Sequence, residues 1–358
     1  EREQGITIDV AWRYFSTARR NFIIADTPGH LQYTRNMATG ASHCNLAVIL
    51  VDARLGVLPQ TRRHAFIATL LGVPHMVVCV NKMDLVDWSE EIFENIRREF
   101  TEFAARLRLR DLTFIPLSAL SGDNVVTRST NMPWFDGAPL LSHLERLHVA
   151  SDRNLVDVRF PVQYVVRPQS HENRDYRGYA GTIASGVLKP GDRIRALPAG
   201  LDTEIATIET ADGPVTEAYP PMAVTITLKD EIDISRGDML CRPNNVPAVM
   251  QDIDAQVCWM DESAPLTAGK TYAIKHTTRW ARAVVKQIDY RIDINTLHRV
   301  EGVEGLALNE IGRIRLRSTK PLFVDPYLSN RQTGGFILVD ESTNRTVAAG
   351  MVVRESGS

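Results

Sequence analysis

One short stretch decides the fold: Asp26-Thr27-Pro28-Gly29-His30. It follows an apolar run at residues 22–25 and precedes a segment with helical spacing at residues 31–37. A carboxylate at a strand end, a Pro-Gly turn and a helix start together suit phosphate binding. Glycine lets a backbone N–H approach an anion, and the helix N-terminus carries a partial positive charge. Alone, Pro-Gly after a strand more often marks only a turn.

Two later strand-like runs also end in polar residues. Residues 75–80 are followed by Asn81-Lys82-Met83-Asp84, and residues 112–117 are followed by Ser118-Ala119-Leu120. Ligands bind at the carboxyl ends of the strands in an open α/β sheet. We therefore expect the three strand ends to form one pocket.

The tetrad at residues 81–84 has the chemistry of a guanine-selective site. Asp84 can accept hydrogen bonds from N1–H and from the exocyclic amine of guanine, a pair of donors that adenine lacks. Asn81 can bond the base edge and the neighbouring loop, and the stem of Lys82 can cover the ring. The Ala119 N–H can donate to the guanine O6. We predict that these residues and their neighbours Ser118 and Leu120 bind the nucleotide.

These motifs occur in the order and spacing of a known family. Over its whole length the chain resembles the elongation factor Tu-like class of translation-factor GTPases. Within that class it is most similar to the GTPase subunit (large subunit) of bacterial ATP sulfurylase, or sulfate adenylyltransferase. The segments that carry this second resemblance are residues 33–42, residues 52–57 and residues 60–64.

The resemblance implies roles for the residues around the phosphates. Thr7 resembles the switch threonine whose hydroxyl joins the Mg²⁺ shell, although a β-forming residue at a strand start is its plain alternative. Asp26 would reach the metal through bound water. Pro28 and Gly29 would form the turn that senses the γ-phosphate and releases both loops on hydrolysis. His30 would align the attacking water, a task of positioning rather than of basicity. Catalysis would thus depend on His30, Gly29 and Thr7, and Mg²⁺ binding on Thr7 and Asp26.

The periodicity of the chain changes near residue 150. Before it, strands alternate with helices, the pattern of a mostly parallel sheet; the clearest helix spans Ser89–Arg106, with Ser89 as its N-cap. After it, short strands and Gly/Pro turns are typical of β-barrels. We predict a multidomain α/β and all-β protein. A P-loop-type GTPase α/β domain spans residues 1–150, a first β-barrel 151–247 and a second β-barrel 248–358.

No Gly-x-x-x-x-Gly-Lys-Ser/Thr loop precedes Thr7, although that loop carries the main phosphate contacts in this class. The resemblance places a central strand, the loop and a helix upstream. A sheet that lacks its central strand leaves backbone donors and acceptors unpaired. We therefore expect the natural protein to begin well before Glu1. The stretch Ala268-Gly269-Lys270-Thr271 is no substitute, because Ala264 occupies the position of the first glycine.

The composition is that of an ordinary globular protein, with 358 residues, 44% hydrophobic and 23% charged, and a formal charge of −2. It gives no reason to expect a nucleic-acid partner, and no apolar run reaches membrane length. The cysteines lack metal-type spacing, so we interpret them as inert reduced thiols of a cytoplasmic protein: Cys44, Cys79, Cys241 and Cys258. We interpret the basic run at residues 275–279 as a solvated barrel face.

Three functions fit these observations. The first is a GTPase that binds GTP, GDP and Mg²⁺ and forms a hetero-oligomer with a separate sulfate adenylyltransferase catalytic subunit. The resemblance implies that GTP hydrolysis then drives formation of adenosine 5′-phosphosulfate from ATP and sulfate in sulfate assimilation. The second is an elongation factor Tu-like translation GTPase that binds aminoacyl-tRNA; residues 38–42 and 52–54 favour the first. The third is an inactive scaffold, which the printed chain fits because it lacks the phosphate loop.

The substitution Asp84→Asn tests the guanine assignment. A carboxylate facing adenine would lose both donors, at a cost on the order of 1–3 kcal/mol. We expect the variant to bind GTP more weakly and xanthosine triphosphate more tightly, as measured by nucleotide competition. An unchanged preference would contradict the assignment.

Overall fold

The computed structural model describes residues 9–29, 34–42, 44–107, 109–149, 153–168, 176–293 and 296–353. The chain divides into two compact units. The first comprises Glu1–Asp152 and Ile292–Arg299, and the second comprises Arg153–Arg291 and Val300–Ser358. The domain boundaries given above stay predictions.

The first unit is the α/β part of the chain. Its elements are β1 (Ala11–Ser16), β2 (Asn21–Asp26), α1 (Thr34–Ala41), β3 (Leu46–Asp52), α2 (Pro59–Leu70), β4 (His75–Asn81), a 3₁₀ turn (Met83–Val86), α3 (Glu90–Ala104), β5 (Asp111–Pro116) and α4 (Leu140–Arg146). Strands β3, β4 and β5 form a parallel sheet in that order. Strand β4 is central and buried along most of its length, which explains its continuous apolar run.

Helix α3 begins where the sequence predicts. The Ser89 hydroxyl accepts a hydrogen bond from the Ile92 N–H at 3.4 Å, and Glu90 and Glu91 occupy the first turn. A serine N-cap satisfies an amide that has no partner within the helix, and acidic residues complement the positive end of the helix dipole. The predicted N-cap is confirmed.

Strands β1 and β2 form a separate antiparallel hairpin, with Ala11 opposite Asp26. We expected β2 to share a sheet with the other two strand ends, and within the described residues it does not. Strands β2 and β3 both carry exposed apolar side chains, among them Ile23 and Leu50. The strand predicted upstream of the phosphate loop stays a prediction.

The second unit begins with a series of short antiparallel strands. These are β6 (Arg159–Pro161), β7 (Tyr164–Val166), β8 (Gly178–Thr182), β9 (Arg193–Leu197), β10 (Leu201–Thr210), β11 (Gly213–Pro214), β12 (Ala223–Leu228) and β13 (Met239–Cys241). They pair in the order β6-β13-β9-β10-β12-β8-β7, with β11 added to β10. The Arg159 N–H donates to the Ser185 carbonyl oxygen, and the Ala184 N–H donates to that of Arg159. These bonds join the segment that follows β8 to β6 and so close a barrel.

The remaining elements form a second barrel. They are β14 (Ala248–Trp259), β15 (Leu266–Thr267), β16 (Thr271–His276), β17 (Arg279–Ile292), β18 (Arg299–Val300), β19 (Gly305–Leu306), β20 (Ile311–Val324), α5 (Arg331–Gly334), β21 (Gly335–Val339) and β22 (Thr346–Val352). The ring runs β16-β21-β22-β14-β20-β17 and closes through the pairing of β16 with β17. Gly269 has φ +86° in the turn between β15 and β16, and a strand rather than a helix follows it, as expected for a stretch that is not a phosphate loop.

A buried ion pair joins the two barrels. The side chain of Arg159 is 3% exposed, and its Nε and Nη2 atoms lie 2.8 and 2.9 Å from the two carboxylate oxygens of Asp325. Its other N–H groups donate to the carbonyl oxygens of Val158 and Asn245 and to the Asn245 side chain. Every donor of the guanidinium therefore has an acceptor, which a buried charge requires.

The basic run at residues 275–279 is not a solvated face, so that prediction was wrong. It forms the β16–β17 turn, and His276 is fully buried with its Nε2 2.7 Å from the Thr333 carbonyl oxygen. Arg279 pairs with Asp238 of the first barrel at 3.2 Å, and desolvation raises the pKa of that carboxyl group. Charge patterning along the chain carries no information about a surface that a neighbouring barrel covers.

The four cysteines all lie among the described residues and form no disulfide with one another. Burial raises the pKa of Cys79 to about 12 and that of Cys241 to about 11, so both thiols stay protonated at neutral pH. Their burial supports the interpretation of these two residues as inert thiols, which stays a prediction. Among the described residues, none of the helices is long and apolar enough to span a bilayer.

The substitution Arg159→Ala tests the ion pair between the barrels. It leaves Asp325, whose side chain is 13% exposed, without its cationic partner, which costs roughly 3–5 kcal/mol. The matched control is Arg317→Ala, because Arg317 and Asp252 also lie 3.0 Å apart but are 53% and 68% exposed, and such pairs contribute about 1 kcal/mol or less. We expect a large fall in the denaturant midpoint for the first variant only. Equal shifts in the two variants would contradict this account.

Candidate nucleotide-binding site

The carboxyl ends of β3, β4 and β5 lie together at one edge of the parallel sheet. Asp52, the last residue of β3, is the register partner of Asn81, the last residue of β4. On the other side of β4, Val80 pairs with Pro116 at the end of β5. Two of the three predicted strand ends are thus brought together, and Asp52 joins them in place of the β2 end.

Asn81 holds two loops with one oxygen atom. Its Oδ1 accepts from the Lys82 N–H at 2.7 Å and from the Ala119 N–H at 2.9 Å. Lys82 has φ +65°, a left-handed conformation that is unfavourable for a residue with a β-carbon, and the first bond offsets part of that cost. The Ala119 N–H, which we expected to face the guanine O6, donates to Asn81 in this structure.

The loop after β5 is held from within. Ser118 is fully buried, and its Oγ accepts from the Ser121 N–H at 3.3 Å, whereas Leu120 is almost fully exposed. Asp123 accepts from Ser121 and from other side chains of the loop and the preceding turn: Ser129, Asn131 and Trp88. Burial raises the pKa of Asp123, but these hydrogen bonds outweigh it and the pKa is lowered. The sequence analysis did not select Asp123.

Asp84 lies in the 3₁₀ turn after β4. Its Oδ1 atom is buried and accepts no hydrogen bond from any of the described residues. A buried acceptor without a donor is costly, so native proteins rarely retain one without a reason. Asp84, the residue predicted to select guanine, therefore carries a buried, unsatisfied acceptor in the turn that follows Asn81.

The turn at residues 26–29 is fastened to helix α2. Asp26 and Gly29 are exposed and Pro28 is buried. The Gly29 carbonyl oxygen accepts from Gln60 Nε2 at 2.8 Å, and the same nitrogen lies 2.8 Å from His64 Nε2. Since the Gln60 amide is a donor, this His64 nitrogen is the acceptor. Burial, and then the charge of Arg63, lowers the pKa of His64, so its ring is neutral at pH 7.

Helix α1 packs on the same turn through a glycine. A β-carbon added at Gly40 would lie 2.5 Å from Cγ2 of Thr27, so any larger residue there would force the Thr27 side chain to move. Thr7 and His30 fall outside the described residues, and their roles stay predictions. Gln60 was quoted above only within a family segment, and its contact with Gly29 could not be read from sequence spacing.

Comparison with known proteins identifies the family. Residues 1–158 match the elongation factor Tu GTP binding domain, and residues 252–353 match the GTP-eEF1A C-terminal domain-like family. The bifunctional enzyme CysN/CysC of Mycobacterium tuberculosis is 59% identical over 99% of this chain. Sulfate adenylyltransferase subunit 1 of Bacteroides fragilis and of Alteromonas mediterranea are 54% and 52% identical, again over 99% of the chain. The chain belongs to the sulfate adenylyltransferase subunit 1 family.

This family member spans 58% of the length of the mycobacterial relative and 73% and 74% of the two subunit 1 relatives. Its fold is shared more widely. Crystal structures of sup35 complexed with GMPPNP and with GDP cover 95% and 96% of the chain with TM-scores of 0.52 and 0.53, at 23% identity. The predicted fold class, a GTP-binding α/β domain followed by two β-barrels, is confirmed.

Within this subunit 1 family member, Asp52 is the clearest residue that the sequence analysis missed. It was used only as part of a family segment, although its position at a strand end was visible. Its carboxylate lies 2.9 Å from Lys82 Nζ and forms two side-chain hydrogen bonds with Arg54. Its position could have been recognised from the sequence, because Asp52 is a polar residue at the end of the strand next to the one that carries Asn81.

The substitution Asn81→Ala tests the bond that joins the two loops. It removes the acceptor of two amides, and we expect it to lower the free energy of unfolding by about 1–3 kcal/mol and to weaken GTP binding at least roughly tenfold. Asn81→Asp is the matched control for stability, because a carboxylate still accepts from both amides. Denaturant unfolding and nucleotide titration provide the measurements. A stable Asn81→Ala variant with normal affinity would refute the role.

Proposed function

We propose that the protein is the GTP-hydrolysing regulatory subunit of a sulfate adenylyltransferase. It couples GTP hydrolysis to the formation of adenosine 5′-phosphosulfate from ATP and sulfate by a separate catalytic subunit, in the cytoplasm. The observation that supports this most is the unsatisfied Asp84 acceptor beside the Asn81 bond, in a chain 52–59% identical to relatives that bear the subunit 1 and CysN/CysC names.

Guanine selection follows from the acceptors at the sheet edge. Asp84 offers carboxylate oxygens to N1–H and to the exocyclic amine of guanine. Adenine presents an unprotonated N1 to the same position, so the carboxylate would lose its donors inside a partly buried site. Lys82 is anchored at its Nζ, which leaves its aliphatic stem to cover one face of the base. Ser118, Ala119 and Leu120 complete the base-binding loop in this proposal.

The phosphate end of the site depends on the turn after β2. Mg²⁺ is commonly held by one or two carboxylates together with substrate phosphates, and the exposed Asp26 at the end of β2 fits that donor set. Thr7 would supply a hydroxyl ligand, and the metal would neutralise charge on the phosphates. Gly29 would sense the γ-phosphate and His30 would align the attacking water. Gln60 donates to the carbonyl oxygen of Gly29, the residue that precedes His30 in the sequence.

Coupling to the partner must be reciprocal. If GTP favours the conformation in which the catalytic subunit is active, then the catalytic subunit and its substrates must change GTP affinity by the same factor. Typical couplings correspond to roughly 5- to 150-fold changes in affinity. A regulatory GTPase of this kind acts by a shift between two states, which nucleotide hydrolysis resets.

The experiment uses the protein expressed from its intact gene together with its adenylyltransferase partner. We expect the two to copurify and ATP- and sulfate-dependent pyrophosphate release to require GTP, with GDP unable to replace it. The Asp84→Asn variant is the matched control, since xanthosine triphosphate should then support the reaction in place of GTP. Pyrophosphate release that ignores guanine nucleotides would overturn the proposal, and copurified tRNA would favour the translation-factor alternative.

A further inference from the structure

Two carboxylates and two cations meet at the base-binding end of the sheet. Asp52 and Arg54 follow β3, and Lys82 and Asp84 follow β4. The two segments are fastened by the backbone, because the Ala53 N–H donates to the Asn81 carbonyl oxygen at 2.9 Å. How the two cations are shared between the two carboxylates therefore determines what Asp84 can bind.

Asp52 forms ion pairs with both cations, Arg54 and Lys82. Arg54 donates from Nε to Oδ1 at 3.0 Å and from Nη2 to Oδ2 at 2.7 Å, and Lys82 Nζ donates to Oδ2 at 2.9 Å. The Asp52 side chain is 15% exposed, whereas both cationic side chains are 47% exposed. Bidentate charge-assisted pairs of this type are among the stronger side-chain interactions. The Arg54 bonds, partly opposed by burial and aided by Lys82, lower the pKa of Asp52, so it stays ionised at neutral pH.

Asp84 interacts electrostatically with Arg54, yet one of its carboxylate oxygens has no hydrogen-bond donor within the described part of the chain. Its Oδ1 accepts no hydrogen bond from the described residues. Arg54 is close enough for the Asp84 charge to contribute, after the larger effect of Asp52, to raising the pKa of the guanidinium. Lys82 is two residues away along the chain. Without a second carboxylate to hold them, these cations would turn to Asp84, and a carboxylate engaged by a cation cannot accept from both donors of a guanine.

We propose that Asp52 is a specificity-determining positioning residue: it holds Arg54 and Lys82 so that Asp84 stays available to guanine. The inference rests on the proposed function and adds a residue to its guanine site. Asp52 does not touch the base in this account. It acts by removing competitors for the residue that does.

A purely structural role for Asp52 has a different signature. Its Oδ1 also accepts from the Arg54 N–H at 3.0 Å, and its carbonyl oxygen accepts from the N–H groups of Leu55 and Gly56. Asparagine keeps these turn-forming bonds to Oδ1 and to the carbonyl oxygen. It removes the negative charge and replaces Oδ2, the acceptor of Lys82 Nζ and Arg54 Nη2, by an NH₂ donor. The substitution Asp52→Asn therefore separates the charge from the turn.

The test measures dissociation constants of GTP and of inosine triphosphate, which lacks the exocyclic amine, in the protein expressed from its intact gene. We expect Asp52→Asn to weaken GTP binding about tenfold. We also expect it to reduce the preference for GTP over inosine triphosphate, because Asp84 no longer accepts a hydrogen bond from the exocyclic amine. Adding Arg54→Gln to this variant removes one competing cation and should restore part of the ratio. The control Asp87→Asn, on an exposed carboxylate of the same turn, should change GTP affinity less than about twofold.

The outcomes separate the two claims. A wild-type protein that prefers GTP, with an Asp52→Asn variant that keeps the wild-type ratio, overturns the role of Asp52 and leaves the proposed function standing. A double variant no better than Asp52→Asn, together with a lowered unfolding midpoint for both, shows a structural role only and also overturns it. A wild-type protein without preference for guanine nucleotides overturns the proposed function itself.

Discussion

The candidate nucleotide-binding edge of the sheet depends on the side-chain oxygen of Asn81. That single acceptor joins the loop after β4 to the loop after β5 through the amides of Lys82 and Ala119. It also stabilises a left-handed lysine that would otherwise be strained. The positions of Lys82, Asp84 and the buried Ser118 all follow from those two loops. Base selection in the proposed function therefore requires that one side chain be an amide or another acceptor of the same reach.

Much of this arrangement is predictable because its causes are local. Apolar runs with polar residues at their ends predicted β4 and β5, and a serine before two glutamates predicted the start of α3. The contacts that sequence reading missed join residues far apart along the chain. Asp52 meets Lys82 thirty residues later, and Gln60 reaches back thirty-one residues to Gly29. Parallel strands create such encounters, but spacing alone does not say which side chains meet.

The clearest error of the sequence-based predictions concerns residues 275–279, and its cause is that part of this run is buried. His276 and Arg279 belong to a run that looks solvated, yet the barrel fold places them against buried carbonyl and carboxylate groups. Their partners, Thr333 and Asp238, lie more than forty residues away in either direction. The phosphate side of the candidate site differs, because the structure neither supports nor contradicts its predicted residues. Its implied roles for Thr7 and His30 come from resemblance and stay predictions.

The Arg159 ion pair also fixes a geometry. A planar guanidinium has N–H groups that point in set directions, and all of them are engaged at once by acceptors from both barrels. Few relative angles of the barrels keep every one of those bonds. The ion pair therefore favours one relative orientation of the two barrels. A partner protein that binds one barrel and moves it would be expected to move the other barrel as well.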